Sequence, residues 1–267
     1  MSKNHPLAAL LSDFGTSDQY VAAMKGTMLK ACPTLSFVDI THEVQPQNIE
    51  QAAYLLWASH HSFPDDTVFC TVVDPGVGTS RDIIIARGGK QTFLAPGNGL
   101  LDLVLWTEKV ESVVVVNMSS PPVHSMVPPF VSNTFHGRDI FAPLTAYLAM
   151  GNDPSVLGTA RTVDWLVAPF VDELHPLVEA KILHIDRFGN IVTNIASPDG
   201  HAPSGIKGVK LGAVRIVRWV ANYESAPANL PCLIAGSSGL VEIVMKRQSA
   251  AAVLKGNRRT SLGLLRS

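Results

Sequence analysis

The chain has 267 residues, 46% of them hydrophobic and 16% charged, with 21 lysines and arginines against 22 aspartates and glutamates. A net charge of −1 without a long basic run leaves no nucleic-acid footprint and no polybasic membrane anchor. Three scattered cysteines (Cys32, Cys70, Cys232) with no CxxC argue against a disulfide framework or zinc ribbon; Leu7–Leu11 is too short for a signal-peptide core, and no apolar run approaches the ~18 residues of a membrane span, so a soluble, cytoplasmic protein is expected.

In chain order, LAALLS (7–12) reads as a short strand stopping at Asp13, and residues 19–31 carry apolar positions at helical spacing up to Cys32-Pro33. A strand follows at Leu35–Ile40. Pro46 opens a helical stretch, Asn48–Ser59. Strands are expected at Val68–Val73, Asp82–Arg87 and Thr92–Ala95, then a helix over LLDLVLW, a four-valine strand at Val113–Val116 and a helix at Phe141–Met150. Strands alternating with helices predict a mostly parallel sheet covered by helices. After about residue 165 the texture changes to short strands split by Gly, Pro, Asn and Ser: Lys181–Asp186, Ile191–Ile195, Val209–Leu211, Val214–Val217, Leu233–Ala235 and Leu240–Val244, with a weak helical turn near Ala250–Leu254. The expected architecture is therefore an α/β N-terminal domain (1–168) and a smaller antiparallel, β-barrel-like C-terminal domain (178–267), with the boundary near Pro169 and Pro176.

Polar residues are concentrated in SDFGTSDQY from Ser12, VVDPGVGTSR from Val72, FHGRDIF from Phe135 and IDRFGNIVTNI from Ile185. Carboxylates at the carboxyl ends of buried strands, with glycines that let backbone approach a ligand, are how open α/β sheets build small-molecule sites. Phosphate cradles fail on inspection: Gly89-Lys90 is followed by Gln91 with Ile at 84, and Asp13-Phe14-Gly15 stands where a dinucleotide fingerprint would begin. GxSxG does not occur. His60-His61 lacks a carboxylate at the offset of a metal motif, and His184 and Asp186 merely alternate along a strand, so no metal ligand is assigned. Asp74 and Arg81, seven residues apart across PGVGTS, form either an ion pair that closes a loop or part of a site. His136 is a third member or a structural histidine, and Asp186–Asn190 is a hairpin turn or a ligand contact.

Taken together, SDFGTSDQYV, FVDITHEV, VVDPGVGTSR, APGNGLL, FHGRDIFAP, HIDRFGNIVTNI and GSSGLVEI resemble the S-adenosyl-L-methionine hydroxide adenosyltransferase family, the adenosine-forming SAM hydrolases, which are relatives of fluorinase and chlorinase. The resemblance runs from Leu10 to about Ser249. It implies a homotrimer with pockets at subunit interfaces, and no cofactor, S-adenosylmethionine being the substrate. The family's catalytic triad falls on Asp74, Arg81 and His136, and its ribose aspartate on Asp13. Contacts to adenine and the methionine end fall on Asp186, Phe188, Asn190, Ser237, Glu242 and the backbone near Met245. Gly97 stands where the family usually has asparagine, Gly236 is a similar departure, and VMKRQSA after Ile243 is more polar than usual.

The implied reaction is attack of water on C5′ to give adenosine and L-methionine. In halogenating relatives the position of Asp74 is a tyrosine and that of His136 is not histidine, so a halide-using adenosyltransferase is the alternative within this family. A non-catalytic S-adenosylmethionine or adenosine sensor is the alternative outside catalysis.

Overall fold

The computed structural model describes residues 5–108, 110–164 and 166–266. The chain forms two compact units, the first ending at Leu166 and the second beginning at Val167.

The first unit contains strands β1 (Leu7–Ser12), β2 (Ser36–Thr41), β3 (Val68–Val72), β4 (Ile83–Gly88), β5 (Gln91–Pro96), β6 (Val110–Val116) and β7 (Gly158–Ala160), in the sheet order β2-β1-β3-β5-β4-β6-β7. The pairs β1–β2, β1–β3 and β3–β5 are parallel, and β4 runs against both β5 and β6. Five strands therefore share one direction, with β4 and the edge strand β7 reversed. The reversal at β4 comes from a two-residue turn. Gly89 and Lys90 both have positive φ (56° and 67°) and Gly88 pairs with Gln91, which is the hairpin geometry that matches strand twist.

Five α-helices cover this sheet: α1 (Tyr20–Ala31), α2 (Ile49–Ser59), α3 (Asp102–Thr107), α4 (Pro121–Met126) and α5 (Ala142–Ala149). Alternation along the strands sorts them by face. Ala8 and Leu10 of β1, Cys70 of β3 and Val114 of β6 pack with Met24, Met28, Val123, Leu144 and Leu148 from α1, α4 and α5. Ala9, Leu11, Phe69, Phe93 and Val113 pack with Ala52, Leu56, Val104 and Leu105 from α2 and α3. Both faces are thus buried, which is why the strands read as near-continuous apolar runs. Asn48 caps α2 by accepting from the Gln51 N–H at 2.9 Å, while the Gln51 side chain reaches back to the N–H of Gln45 at 2.8 Å.

The second unit holds β8 (Ile182–Ile185), β9 (Ile191–Ala196), β10 (Ile206–Leu211), β11 (Val214–Ile216), β12 (Cys232–Ala235), β13 (Leu240–Val244), the short α6 (Ala250–Leu254) and β14 (Leu262–Arg266). They form two antiparallel sheets, β12-β13-β9-β8 and β11-β10-β14. Ile182, Ile191 and Ile243 from the first sheet and Val209, Ile216 and Leu262 from the second share one core. No helix among the described residues is long and apolar enough to cross a membrane.

Candidate active site

The parallel register sets the first group of polar residues. Ser12 of β1 lies beside Val72 of β3, so Asp13 and the Val73-Asp74 segment leave adjacent strands at their carboxyl ends. This is the edge where open α/β sheets bind ligands. Asn98, just beyond neighbouring β5, donates to the Val73 carbonyl at 2.9 Å and pins the chain before Asp74. One Asp13 carboxylate oxygen accepts the Gln47 N–H at 2.8 Å, and Asp13 is only partly buried.

From Asp74 the chain turns through PGVGTS, and Arg81 folds back on it. Arg81 Nε donates to Asp74 Oδ2 at 2.6 Å, and Nη2 donates to the same oxygen. The two side chains are 11% and 5% exposed, so this pair is largely shielded from solvent. Gly78 makes the turn possible. Its φ is +81°, and a Cβ there would overlap the carbonyl oxygen of Asn133. The Asp74 loop and the loop leading to His136 are therefore in backbone contact, and only glycine fits between them.

His136 stands at the start of a π-turn, Gly137–Phe141, that runs into α5. Gly137 is hemmed in by Phe14, Met24 and Phe135, where a Cβ would lie 3.1–3.2 Å from each, so the histidine backbone sits directly against α1. Arg81 Nη2 is 3.0 Å from His136 Nδ1. A guanidinium only donates, so Nδ1 accepts, and the neutral ring carries its proton on Nε2. Burial pushes the His136 pKa below the ordinary 6.5, and the Arg81 charge pushes it the same way; Asp74 and Asp139 oppose them. The guanidinium also lies 5.8 Å from the centre of the Phe141 ring. The second carboxylate oxygen, Asp74 Oδ1, is buried and has no hydrogen-bond partner among the described residues. A buried acceptor left over after the ion pair is formed calls for a partner, which a bound water or a polar reactant would supply.

The second unit carries the other group. Asp186 Oδ1 accepts the N–H of Phe188 (2.9 Å) and of Asn190 (2.8 Å), and Oδ2 accepts from the Asn190 amide at 2.8 Å. Gly189, at φ +85°, completes this turn, and a Cβ on it would overlap Ser249. The turn pushes the Phe188 ring outward to 78% exposure. Asp186, Phe188, Asn190 and Met245 line a cavity of about 560 Å³ together with Tyr223, Arg247, Gln248 and Ser249. Glu242 lies behind that lining and accepts from the Tyr223 hydroxyl at 3.1 Å. Burial foremost raises its pKa, and the nearby Asp186 charge adds to this. Gly236 makes room for Glu242, since a Cβ there would overlap the carboxylate. Ser237 is exposed in the turn between β12 and β13 and does not line the cavity.

Sequence reasoning missed Tyr223, Arg247, Gln248 and Ser249. Tyr223 lies in a polar loop without periodicity. The other three enter because the positive φ of Arg247 (56°) folds the chain back, so that Met245 bridges Gln248. Among the described residues one group has the spacing a metal ion needs, His60, His61 and Glu108, at the opposite end of β3 from Asp74.

Residues 8–158 match the SAM hydroxide adenosyltransferase N-terminal domain and residues 180–262 the C-terminal domain of the same family. An (R)-S-adenosyl-L-methionine hydrolase of Thermus thermophilus is 36% identical over 248 residues, covering 91% of this chain and 93% of the relative. A protein of the same name from Methanocaldococcus jannaschii is 32% identical (93% and 91% covered), and a fluorinase of Nocardia brasiliensis is also 32% identical (73% and 72% covered). The fold is shared with a solved protein of Thermotoga maritima at TM-score 0.82 and 28% identity, covering 97% of this chain and all of that one.

Proposed function

The chain belongs to the SAM hydroxide adenosyltransferase family, and we propose on that basis that it hydrolyses S-adenosyl-L-methionine to adenosine and L-methionine, with Asp74, Arg81 and His136 activating the water. The observation that carries the assignment of roles is the buried, unpartnered Asp74 Oδ1 beside an arginine already committed to Oδ2 and to His136. The sulfonium of the substrate makes C5′ electrophilic and leaves as a neutral thioether, so the leaving group needs neither a general acid nor a Lewis acid. Water is the weak partner and is what the site must improve.

In this mechanism the water oxygen forms a bond to C5′ as the C5′–S bond breaks, its electron pair returning to sulfur. The water proton goes to Asp74 Oδ1 and then to solvent. His136 does not take it. Its Nδ1 lone pair is engaged by Arg81, and its Nε2 already carries the ring proton, so it orients the oxygen as a donor. Arg81 stabilises hydroxide-like character in the transition state. General-base assistance of this kind contributes roughly 10²–10⁴ in rate, and in-line positioning adds a proximity term. Hydroxide character and sulfonium charge cancel along the path, so a dry site favours the transition state over separated ions.

Substrate binding is proposed for Asp13 on the ribose hydroxyls and for Asp186, Phe188, Asn190, Ser237, Glu242 and the backbone at Met245 on the adenine and methionine ends. Support comes from the exposed Phe188 ring, a platform for a base, and from the fixed polar edge of Asp186 and Asn190 in the same cavity. We also propose a homotrimer in the cytoplasm that needs no cofactor, with the two groups of residues contributed by adjoining subunits. Light scattering tests the assembly, since a fully active monomer would contradict it. The function is tested by incubating purified protein with S-adenosylmethionine, with and without fluoride or chloride, and separating products by chromatography. Equimolar adenosine and methionine, unchanged by halide, are expected. A 5′-halo-adenosine would favour the halide-using alternative, and tight binding without turnover would favour a sensor.

A further inference from the structure

His60 closes α2 and His61 follows it in a short 3₁₀ turn, Tyr54 to Ser62 being continuous helical chain that delivers the backbone to the start of β3. Glu108, which caps the end of α3, is 48 residues further on. The fold brings the three together. Glu108 Oε1 lies 3.0 Å from His60 Nε2 and 3.4 Å from His61 Nε2. All three ligand atoms fall within 4.8 Å of one another. Four-coordinate Zn²⁺ with bonds of about 2.0–2.1 Å at tetrahedral angles places its ligand atoms about 3.3 Å apart, close to both measured spacings.

The surroundings hold these groups in ligating form. His60 is 1% exposed, and its Nδ1 lies 2.8 Å from the Trp57 carbonyl. A carbonyl only accepts, so Nδ1 carries a proton and, in the neutral ring, the Nε2 lone pair points at Glu108. Two acceptors facing each other at 3.0 Å require a second ring proton, a proton on the Glu108 carboxyl, or a cation between them. An imidazole that donates its far N–H to a backbone carbonyl while presenting its other nitrogen is also the usual support of a metal ligand. The ring is wedged edge-on against Phe69 and Phe93, with centroids 6.5 and 5.8 Å away. The Gln91 amide donates to the carbonyls of His60 and Phe63, fixing the turn itself. His61 is 67% exposed on its side chain, which gives an ion a route in and a position for solvent as a further ligand.

We propose that His60, His61 and Glu108 form a binding site for a divalent transition-metal cation of the zinc class, whose role is structural. It ties the α2–β3 connection to the end of α3 on the face that those helices share. The nitrogen-rich donor set suits Zn²⁺, Co²⁺ or Ni²⁺ and disfavours Mg²⁺ or Ca²⁺, which take oxygen. The site is remote from the proposed chemistry. From Phe69 along β3 and past its end to Asp74 is five residues, roughly 16 Å of extended chain.

The test uses the full-length protein stripped with a chelator and then titrated with Co²⁺ and Zn²⁺. One Co²⁺ per chain with the intense visible absorption of a tetrahedral ion is expected, displaced by Zn²⁺. Zn²⁺ at a hundredfold excess over its Kd should raise the Tm by roughly 5–10 °C. His61→Ala, a change at an exposed side chain, and Glu108→Gln should each abolish both effects while the stripped proteins keep wild-type activity on S-adenosylmethionine. Absence of binding overturns the proposal. It would leave His60 and Glu108 as a hydrogen-bonded pair that holds this turn without an ion. Binding that persists in both variants also overturns it, because the ion then sits elsewhere.

Discussion

Asp74→Asn separates the ion pair that the Asp74 carboxylate makes from the proton transfer proposed for it. The amide keeps the volume, and its oxygen can still accept in the Arg81 fork; its NH₂ then occupies the position of Oδ1 and presents donors where an acceptor stood. The pair is 11% and 5% exposed, so removing one charge leaves Arg81 buried without an anion. Breaking a buried pair costs about 3–5 kcal/mol, and the lower end applies here because Arg81 keeps His136 Nδ1 and the Phe141 ring. At roughly 2–4 °C per kcal/mol for a domain of this size, the Tm should fall by about 6–12 °C. Activity should fall much further than folding explains. Loss of the proposed proton acceptor should lower kcat by roughly 10²–10⁴ at a temperature where the variant is fully folded. Single-turnover product formation gives the rate, calorimetry with S-adenosylmethionine gives binding, and a thermal melt gives the stability term. If Asp74→Asn turns over at the wild-type rate, Asp74 only closes a loop and the proton must go elsewhere.

Four further outcomes are expected. His136 has a depressed pKa, so its native form is neutral. Its contribution to stability is complete above the unfolded value near 6.5 and is lost as pH falls through the lower folded value, because a proton on Nδ1 would face the Arg81 donor. The kcat/KM profile should therefore be flat through neutrality with an acid limb below pH 6.5, and an inflection above it would contradict the depressed value. Arg81→Ala and His136→Ala should each lower kcat strongly and leave binding nearly intact, with non-additive losses in the double variant, measured by steady-state kinetics. Asp13→Ala should raise KM more than it lowers kcat, since the proposed ribose contact would be equal in ground and transition states; an unchanged KM removes it from the site. Phe188→Ala, at 78% exposure, should move the Tm negligibly yet weaken substrate binding by about tenfold or more, the range of a lost base–aromatic stack.

The elements that the sequence exposes most clearly are those whose burial is periodic or continuous. Strands β1 and β3 are buried on both faces and read as apolar runs, as does the mostly buried Val113–Val116 half of β6, while Met24 and Met28, four apart, mark the inner side of α1. Strand β7 is three residues long, and α4 is a single proline-led turn with one buried residue, Val123; neither offers a pattern to read. Strand β14 offers little pattern, because only Leu262 of its five residues is fully buried. Gly89-Lys90 enters the sequence reading only as a failed phosphate cradle; that it turns a hairpin, and so reverses a strand in a mostly parallel sheet, depends on pairing.

At the candidate site, the seven-residue spacing of Asp74 and Arg81 allowed a contact without requiring one, and only the family resemblance joined His136 to it. What brings the histidine in is the fit of Gly78 against Asn133 and of Gly137 against Phe14 and Met24, which are contacts between distant segments. The carboxylate beside His60 and His61 is hidden from local sequence for the same reason. Glu108 comes from a different helix, and no local spacing could reveal it.

The central claim is that water, activated at Asp74, attacks C5′ of S-adenosylmethionine. Turnover in ¹⁸O-enriched water followed by mass spectrometry tests it most directly. One ¹⁸O per adenosine, at the 5′ position, with unlabelled methionine is expected, and Asp74→Asn should abolish its formation at a temperature where that variant is folded. Adenosine without label, or label in methionine, would mean that the bond broken is not C5′–S under attack by water, and the account of this site would be wrong.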